Sequence, residues 1–239
     1  IDNFYTEDIT GKYDKVEIIG DVHSCASVLK EHLETYNKNT LYVFVGDYFD
    51  RGIEPKETWE LIKALQKEKN VIMLEGNHEK WIYNYGSDID TLSIQAKKTF
   101  AIITEGMTDA EIKDFKRDLR MFHKKLRQAY AFEFHGRKFI VNHGGLPYHT
   151  IPKMTYISTE DLIKGFWTHD TEVDEMYEEN FNKGLCQEYI QVHGHRMSNS
   201  TEHSISLDGE IEHGGHLKWL EITLITMEVK MLENKVYDI

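Results

Sequence analysis

The sequence predicts an α/β protein with mixed β-sheets sandwiched by helices and a helical insertion over about residues 79–127. Three observations carry that expectation. Up to Gly76, short apolar runs alternate with helical stretches. After residue 128, strand-like runs return in close succession. Five of the apolar runs end on glycine beside an Asp, Asn or His.

The elements follow in order. Lys15–Gly20 reads as a strand and Ser24–Tyr36 as a helix. Leu41–Gly46 is a continuous apolar run, the pattern of a strand buried on both faces. Glu54–Lys67 is helical, with Pro55 in the first turn, where its missing N–H is no loss. Asn70–Gly76 is a third strand. This β-α-β-α-β order implies parallel strands covered by helices. From His78 to about Leu126 the spacing is helical, and Thr108 with Glu111 forms a capping box that opens one helix. Such an insertion is expected to sit as a helical cap beside the sheet. Tyr130–Phe134 and Lys138–Asn142 read as a hairpin turning at His135-Gly136-Arg137. A short helix follows Ser158, and Glu188–His193 is a strand. His203 to Met231 alternates in the manner of antiparallel strands. The acidic run Glu172–Glu179 reads as a solvated helix face.

No internal repeat or low-complexity segment interrupts the 239 residues, so a single domain over 1–239 is expected. The sequence starts at Ile1 and not at Met, as a domain excised from a longer multidomain chain would. A net charge of −13 argues against a module that grips nucleic acid by bulk positive charge. Cys25 and Cys186 are the only cysteines, too few for a disulfide framework or a thiolate zinc site. Both are expected to be free thiols in a reducing compartment, as in a cytoplasmic protein. No apolar run approaches the roughly 20 residues of a membrane span.

The functional signal lies at the strand ends. Gly20-Asp21-Val22-His23, Gly46-Asp47 through Asp50-Arg51-Gly52, Gly76-Asn77-His78-Glu79, His143-Gly144-Gly145 and Gly194-His195 each follow a predicted strand. Ligands of open α/β sheets sit outside the carboxyl ends of the strands, and glycine there lets backbone approach a ligand closely. Asp21 and His23, two apart on an extended segment, reach one ion. Asp47 has two oxygens with which to bridge two ions. The expected division is Asp21, His23 and Asp47 on one metal, and Asp47, Asn77, His143 and His195 on the other. Mixed N/O donors without sulfur suit Mn²⁺, Fe²⁺ or Zn²⁺ and suit Ca²⁺ poorly. Taken singly each residue reads equally well as a cap or turn; together they copy a ligand set.

In this order the five clusters resemble those of the calcineurin-like metallophosphoesterases, in particular the phosphoprotein-phosphatase branch. The resemblance runs from residue 20 to 195, and Leu207-Asp208-Gly209 through Gly214-Gly215-His216-Leu217 is also similar. It implies two divalent ions, with Mn²⁺ expected and Fe²⁺, Zn²⁺ or Ni²⁺ as alternatives. It implies that Asp47 bridges them, that His78 protonates the leaving group, that Asp50 orients His78, and that Arg51 clamps the phosphoryl oxygens, with Asn77 assisting. Elementary chemistry agrees: a carboxylate partner keeps a histidine protonated nearer neutrality, and a guanidinium fork matches two phosphate oxygens. Hydroxide held between the ions is expected to attack in line. The sequence departs from the pattern at Ser24, where glycine is usual, at His169, where relatives carry an arginine, and at Met197.

His169, His193 and Asp208 are candidates to stand behind the ligands, although His193 reads better as strand filler and Asp208 as a turn residue with Gly209. His213 and His216 flank glycines that mark a turn or close packing. The expected substrate is a phosphomonoester, with 2′,3′-cyclic phosphates also in reach. The segments 192–196 and 212–217 are similar to the phosphatase domain of bacterial and phage polynucleotide kinase-phosphatases. That likeness implies RNA or DNA 3′ ends as partners, RNA repair as the setting, and kinase or ligase domains as covalent neighbours. A serine/threonine protein phosphatase acting on phosphoproteins is the alternative, a diadenosine tetraphosphatase a third. An inactive binding module of the same fold would be expected to lack His78, Asp50 or Arg51, and all three are present.

Overall fold

The computed structural model describes residues 6–147, 157–165 and 172–235. Its strands are β1 (Glu7–Asp8), β2 (Lys15–Ile19), β3 (Thr40–Phe44), β4 (Val71–Met73), β5 (Ala129–Phe134), β6 (Arg137–Asn142), β7 (Tyr189–His193), β8 (Ser204–Ser206), β9 (His216–Ile222) and β10 (Met227–Glu233). Its helices are α1 (Ala26–Leu33), α2 (Pro55–Leu65), α3 (Glu79–Gly86), α4 (Ile94–Thr104), α5 (Asp109–His123), α6 (Thr159–Lys164) and α7 (Glu172–Asn182). Two five-stranded mixed sheets result, ordered β10-β9-β2-β3-β4 and β1-β5-β6-β7-β8.

The two-residue period of the strands divides their side chains between layers. Val16, Ile18, Leu41 and Val43 of the first sheet meet Phe132, Phe134, Phe139 and Val141 of the second in one buried cluster, so the sheets pack face to face. Ile19, Tyr42 and Phe44 point the other way, into a cluster with Leu29 of α1, Trp59 and Ile62 of α2, Phe100 of α4, and Phe115, Leu119 and Phe122 of α5. A smaller cluster joins Ala131 and Ile140 to Leu162 of α6 on the outer face of the second sheet.

The insertion folds as three helices, α3, α4 and α5. They belong to the helical layer over the first sheet and share its core, because Phe115, Leu119 and Phe122 recur on the apolar stripe of α5. The capping box at Thr108 and Glu111 is formed in both directions. At the β5–β6 turn, His135 and Gly136 both take positive φ, 51° and 75°, as a two-residue hairpin requires.

Two expectations are corrected. The C-terminal run is not wholly antiparallel: β9 and β10 are, but β8 lies parallel to β7. Three residues cannot specify direction by alternation, and β8 takes the edge that β7 leaves open. The acidic run 172–179 is not a fully solvated face either, since Val173, Asp174 and Tyr177 of α7 are buried. Cys25 and Cys186 are free and buried. Among the described residues, no helix is long and apolar enough to cross a membrane.

Candidate metal centre

Parallel pairing of β2, β3 and β4 in one sheet and of β6 and β7 in the other sets five carboxyl ends along one edge of the sandwich. Asp21, Asp47, Asn77, His143 and His195 all lie within four residues of such an end. The backbone is strained there. Among the described residues, six of the eleven non-glycine residues with positive φ are His23, Ser24, Asp47, Asp50, Arg51 and His195. Such conformations persist only where surrounding structure over-determines them, and they cluster at functional sites. Two glycines are demanded by close approach: a Cβ on Gly76 would lie 2.2 Å from Asp47 Oδ1, and one on Gly194 would lie 2.0 Å from Asp21 Oδ1.

The donor atoms converge in two places. His143 Nδ1 lies 3.1 Å from the Val45 carbonyl, which only accepts, so Nδ1 carries the proton and Nε2 presents a lone pair. That lone pair is 3.2 Å from Asp47 Oδ2 and 3.2 Å from Asn77 Oδ1. His23 repeats the device. Its Nδ1 is 3.1 Å from the Phe49 carbonyl, and its Nε2 faces Asp47 Oδ2 at 3.7 Å and Asp21 Oδ2 at 3.8 Å. Oδ1 of Asp47 accepts from the His78 backbone N–H at 2.9 Å, but around Oδ2 no donor stands between these electron pairs among the described residues; they repel, and a cation relieves the repulsion. The residues present therefore fit divalent ions, and donor atoms of Asp47, His143 and His195 lie within 4.8 Å of one another. The same holds for His23, Asp47 and His78.

Without a cation, burial and the neighbouring charges act differently on the two aspartates. Burial pushes the Asp21 carboxyl well above its ordinary range, and the negative charges of Asp208 and Asp47 add to it. Burial also acts on Asp47, but His143, His78 and His23 outweigh it and hold that carboxyl well below the ordinary range. Burial and the neighbouring His143 push His195 down to about 3, which leaves it neutral and able to donate a lone pair.

His78 sits at the start of α3. Its Nδ1 is 2.8 Å from Asp50 Oδ2, and the hydroxyl of Thr99 donates to Asp50 Oδ1 at 2.7 Å. Burial lowers the affinity of His78 for its proton, but Asp50 and Asp47 together raise it above the ordinary histidine value. Arg51 is half-exposed and donates from Nη1 to Glu212 Oε1 at 2.6 Å.

The structure thus brings Asp21, His23, Asp47, Asn77, His143, His195, His78, Asp50 and Arg51 to one edge. The remaining candidates lie apart. His193 is buried behind the edge and pairs with Asp174. Asp208 caps its own turn, accepting from the Glu210 backbone at 3.0 Å, and reaches the site by its charge on Asp21 and Arg51. His213 is exposed and His216 opens β9. Met197 is exposed, and His169 lies outside the described residues.

Four residues without an assigned role in the sequence matter here. Glu212 is buried beside His23 and holds Arg51, because left-handed Glu210 and Gly214 turn its short 3-10 segment inward. Glu79 accepts from the backbone N–H groups of Asp47, Tyr48 and Gly76 and stitches two strand ends together; burial and Asp47 push its carboxyl up to about 8. Thr99 anchors Asp50. Arg196 donates to the Gly144 carbonyl at 2.7 Å and fixes the loop after His143. Except for the Gly76–Glu79 bond, which spans three positions, each of these bonds joins residues far apart in sequence, so no local pattern announces it.

The fold and this edge define a metallophosphoesterase. The calcineurin-like phosphoesterase family profile matches residues 15–224, and the chain belongs to that family. It is 27% identical over 150 residues to the asymmetrical bis(5′-nucleosyl)-tetraphosphatase PrpE of Oceanobacillus iheyensis, covering 58% of this chain and 59% of that protein. To the symmetrical bis(5′-nucleosyl)-tetraphosphatase of Wigglesworthia glossinidia brevipalpis it is 29% identical over 184 residues, 75% of this chain and 58% of that protein. The matches thus span less than two thirds of these curated relatives. A serine/threonine protein phosphatase from Saccharomyces cerevisiae shares the fold, with a TM-score of 0.64 at 13% identity over 97% of this chain and 84% of that one.

Proposed function

We propose that this protein is a dinuclear, metal-dependent phosphoesterase, a hydrolase, that acts on small nucleotide phosphates, with dinucleoside polyphosphates as the leading class. The observation that carries the dinuclear reading is the convergence of the His23 and His143 Nε2 lone pairs on one carboxylate, Asp47, from two sides. Asp21, His23 and Asp47 would hold one ion, and Asp47, Asn77, His143 and His195 the other, with Mn²⁺ expected. When bound, the two ions polarise the phosphoryl group and supply the nucleophile from water. The chain's own residues do the rest. Asp50 keeps His78 protonated and oriented, so that His78 hands its proton to the departing oxygen. Arg51, released from Glu212, takes phosphoryl oxygens in its planar fork, and Asn77 adds a contact.

The nucleotide reading draws on the two relatives named as bis(5′-nucleosyl)-tetraphosphatases. The charge of −13 supports a small substrate over a long polyanion. Action on RNA or DNA 3′ ends, favoured by the segments 192–196 and 212–217, is the second reading; it calls on a neighbouring domain to hold the nucleic acid.

The test starts from chelated protein and para-nitrophenyl phosphate. Mn²⁺ should restore turnover, and Asp47→Asn should leave only the chelated background and bind less metal. Full turnover by the chelated protein would overturn the metal reading. A panel of diadenosine tetraphosphate, RNA 3′-phosphate, 2′,3′-cyclic phosphate and phosphopeptides then ranks substrates. A preference for phosphopeptides over every nucleotide would overturn the nucleotide reading.

A further inference from the structure

A cleft of about 410 Å³ opens beside the metal centre, and the metal-facing residue Asn77 forms part of its lining. Its far wall is aromatic: Tyr83, 46% exposed, and the ring of His123 lie with centroids 5.2 Å apart. His123 is tied in place by Glu75, whose Oε1 is 3.1 Å from Nε2. Ile163 of α6 supplies a buried apolar patch on the opposite side; Lys80, Glu160 and Lys164 also line the cleft, the Lys164 ammonium lying 2.6 Å from Glu160 Oε1. None of these residues has a part in the hydrolytic scheme above except Asn77.

We propose that this cleft is a nucleobase pocket, with the base lying on Tyr83 and its phosphate chain running past Lys80 to the metal centre. The inference rests on the phosphoesterase reading and deepens it. The cleft combines an aromatic face, an apolar patch and the cationic Lys80, and opens on the candidate metal centre. An aromatic heterocycle carried on a phosphate chain presents all three complements in one molecule. The volume falls in the range of sites for small organic ligands. A large, half-exposed tyrosine offers stacking area at low cost in conformational entropy, and base stacking on an aromatic ring tolerates any base. The pocket therefore grips nucleotides as a class, with the carboxylate of Glu75 within the lining as an acceptor for an exocyclic amino group.

The experiment is equilibrium binding to the Mn²⁺-loaded full chain, with adenosine 5′-monophosphate and ribose 5-phosphate as probes. The two differ by the base alone. Wild type should bind the nucleotide about tenfold tighter or better, and Tyr83→Ala should cut that margin by about tenfold. Tyr83→Phe keeps the ring and should keep the margin. Lys80→Gln should weaken both probes together. Equal binding of the two probes by wild type, or an undiminished margin in Tyr83→Ala, would overturn the pocket. A phosphotyrosine peptide that binds more tightly than the nucleotide would overturn it too, assigning the cleft to an aromatic side chain. Failure of the underlying reading shows separately, as absence of Mn²⁺-dependent hydrolysis of para-nitrophenyl phosphate.

Discussion

His78 with Asp50 and His193 with Asp174 are two histidine–carboxylate pairs of nearly equal length, 2.8 Å and 2.9 Å. Both carboxylates lie far from their histidines in sequence and both pairs are buried. They differ in what surrounds the second ring nitrogen. In His193, Nδ1 is 2.9 Å from the Gly194 carbonyl, so both nitrogens are committed and the residue is wholly buried. In His78, no second partner is found among the described residues, and a ring nitrogen lies within 4.8 Å of the donor atoms of His23 and Asp47. On the proposed reading, the pair at the rim is placed for proton transfer, whereas the same pairing in the interior joins α7 to β7. Access to the candidate metal centre, not the pair itself, separates the two.

The strongest way to break the comparison is to remove the rim histidine. His78→Ala should lower kcat on an alkyl phosphate by roughly 10²–10⁴-fold, the usual contribution of a positioned acid. The loss should be much smaller for para-nitrophenyl phosphate, whose leaving group departs without a proton. Equal losses on the two substrates would remove the distinction drawn here.

The interior pair should respond in the opposite sense. Asp174→Asn keeps the shape and loses the charge, so it should cost about 1–3 kcal/mol of stability with little change in kcat per folded molecule. Denaturant titration beside active-site counting checks both halves. A large fall in kcat at unchanged stability would make the interior pair part of the catalytic machinery.

The smallest effect is a pH dependence of that stability. Burial acts to raise Asp174, but His193 outweighs it and holds the carboxyl below its ordinary 3.8. A depressed acid contributes stability that is fully present above its unfolded value and is lost as pH falls through its folded one. The deficit of Asp174→Asn relative to wild type should therefore be level near neutrality and shrink below pH 3.8. A deficit that persisted undiminished at lower pH would show that packing, not charge, holds the pair.

Much of this architecture is legible locally. Lys15–Ile19 and Thr40–Phe44 are short, largely apolar runs, and glycine beside Asp, Asn or His marks where five of the strands, β2, β3, β4, β6 and β7, stop. Thr108 and Glu111 announce a helix start three residues apart, because capping is a local exchange of hydrogen bonds. The candidate ligands could be named for the same reason: each is within a few residues of its own strand end, and the chemistry of its type survives without knowing its neighbours.

What the sequence by itself determined is the order of strands and helices, the positions of the strand-end clusters, and the class of chemistry their side chains can perform. Only the tertiary structure decided which residues stand behind them. Glu212 meets Arg51 across 161 positions, and Asp174 turns inward from an acidic run that reads as solvated. The direction of β8 depends on the open edge of β7 beside it, and the exposed ring of Tyr83 borders a cleft only because α6 closes the other side. Such contacts are set by the face-to-face packing of two sheets, whose energy depends on buried area and complementary shape. Neither quantity exists along the chain until distant segments meet.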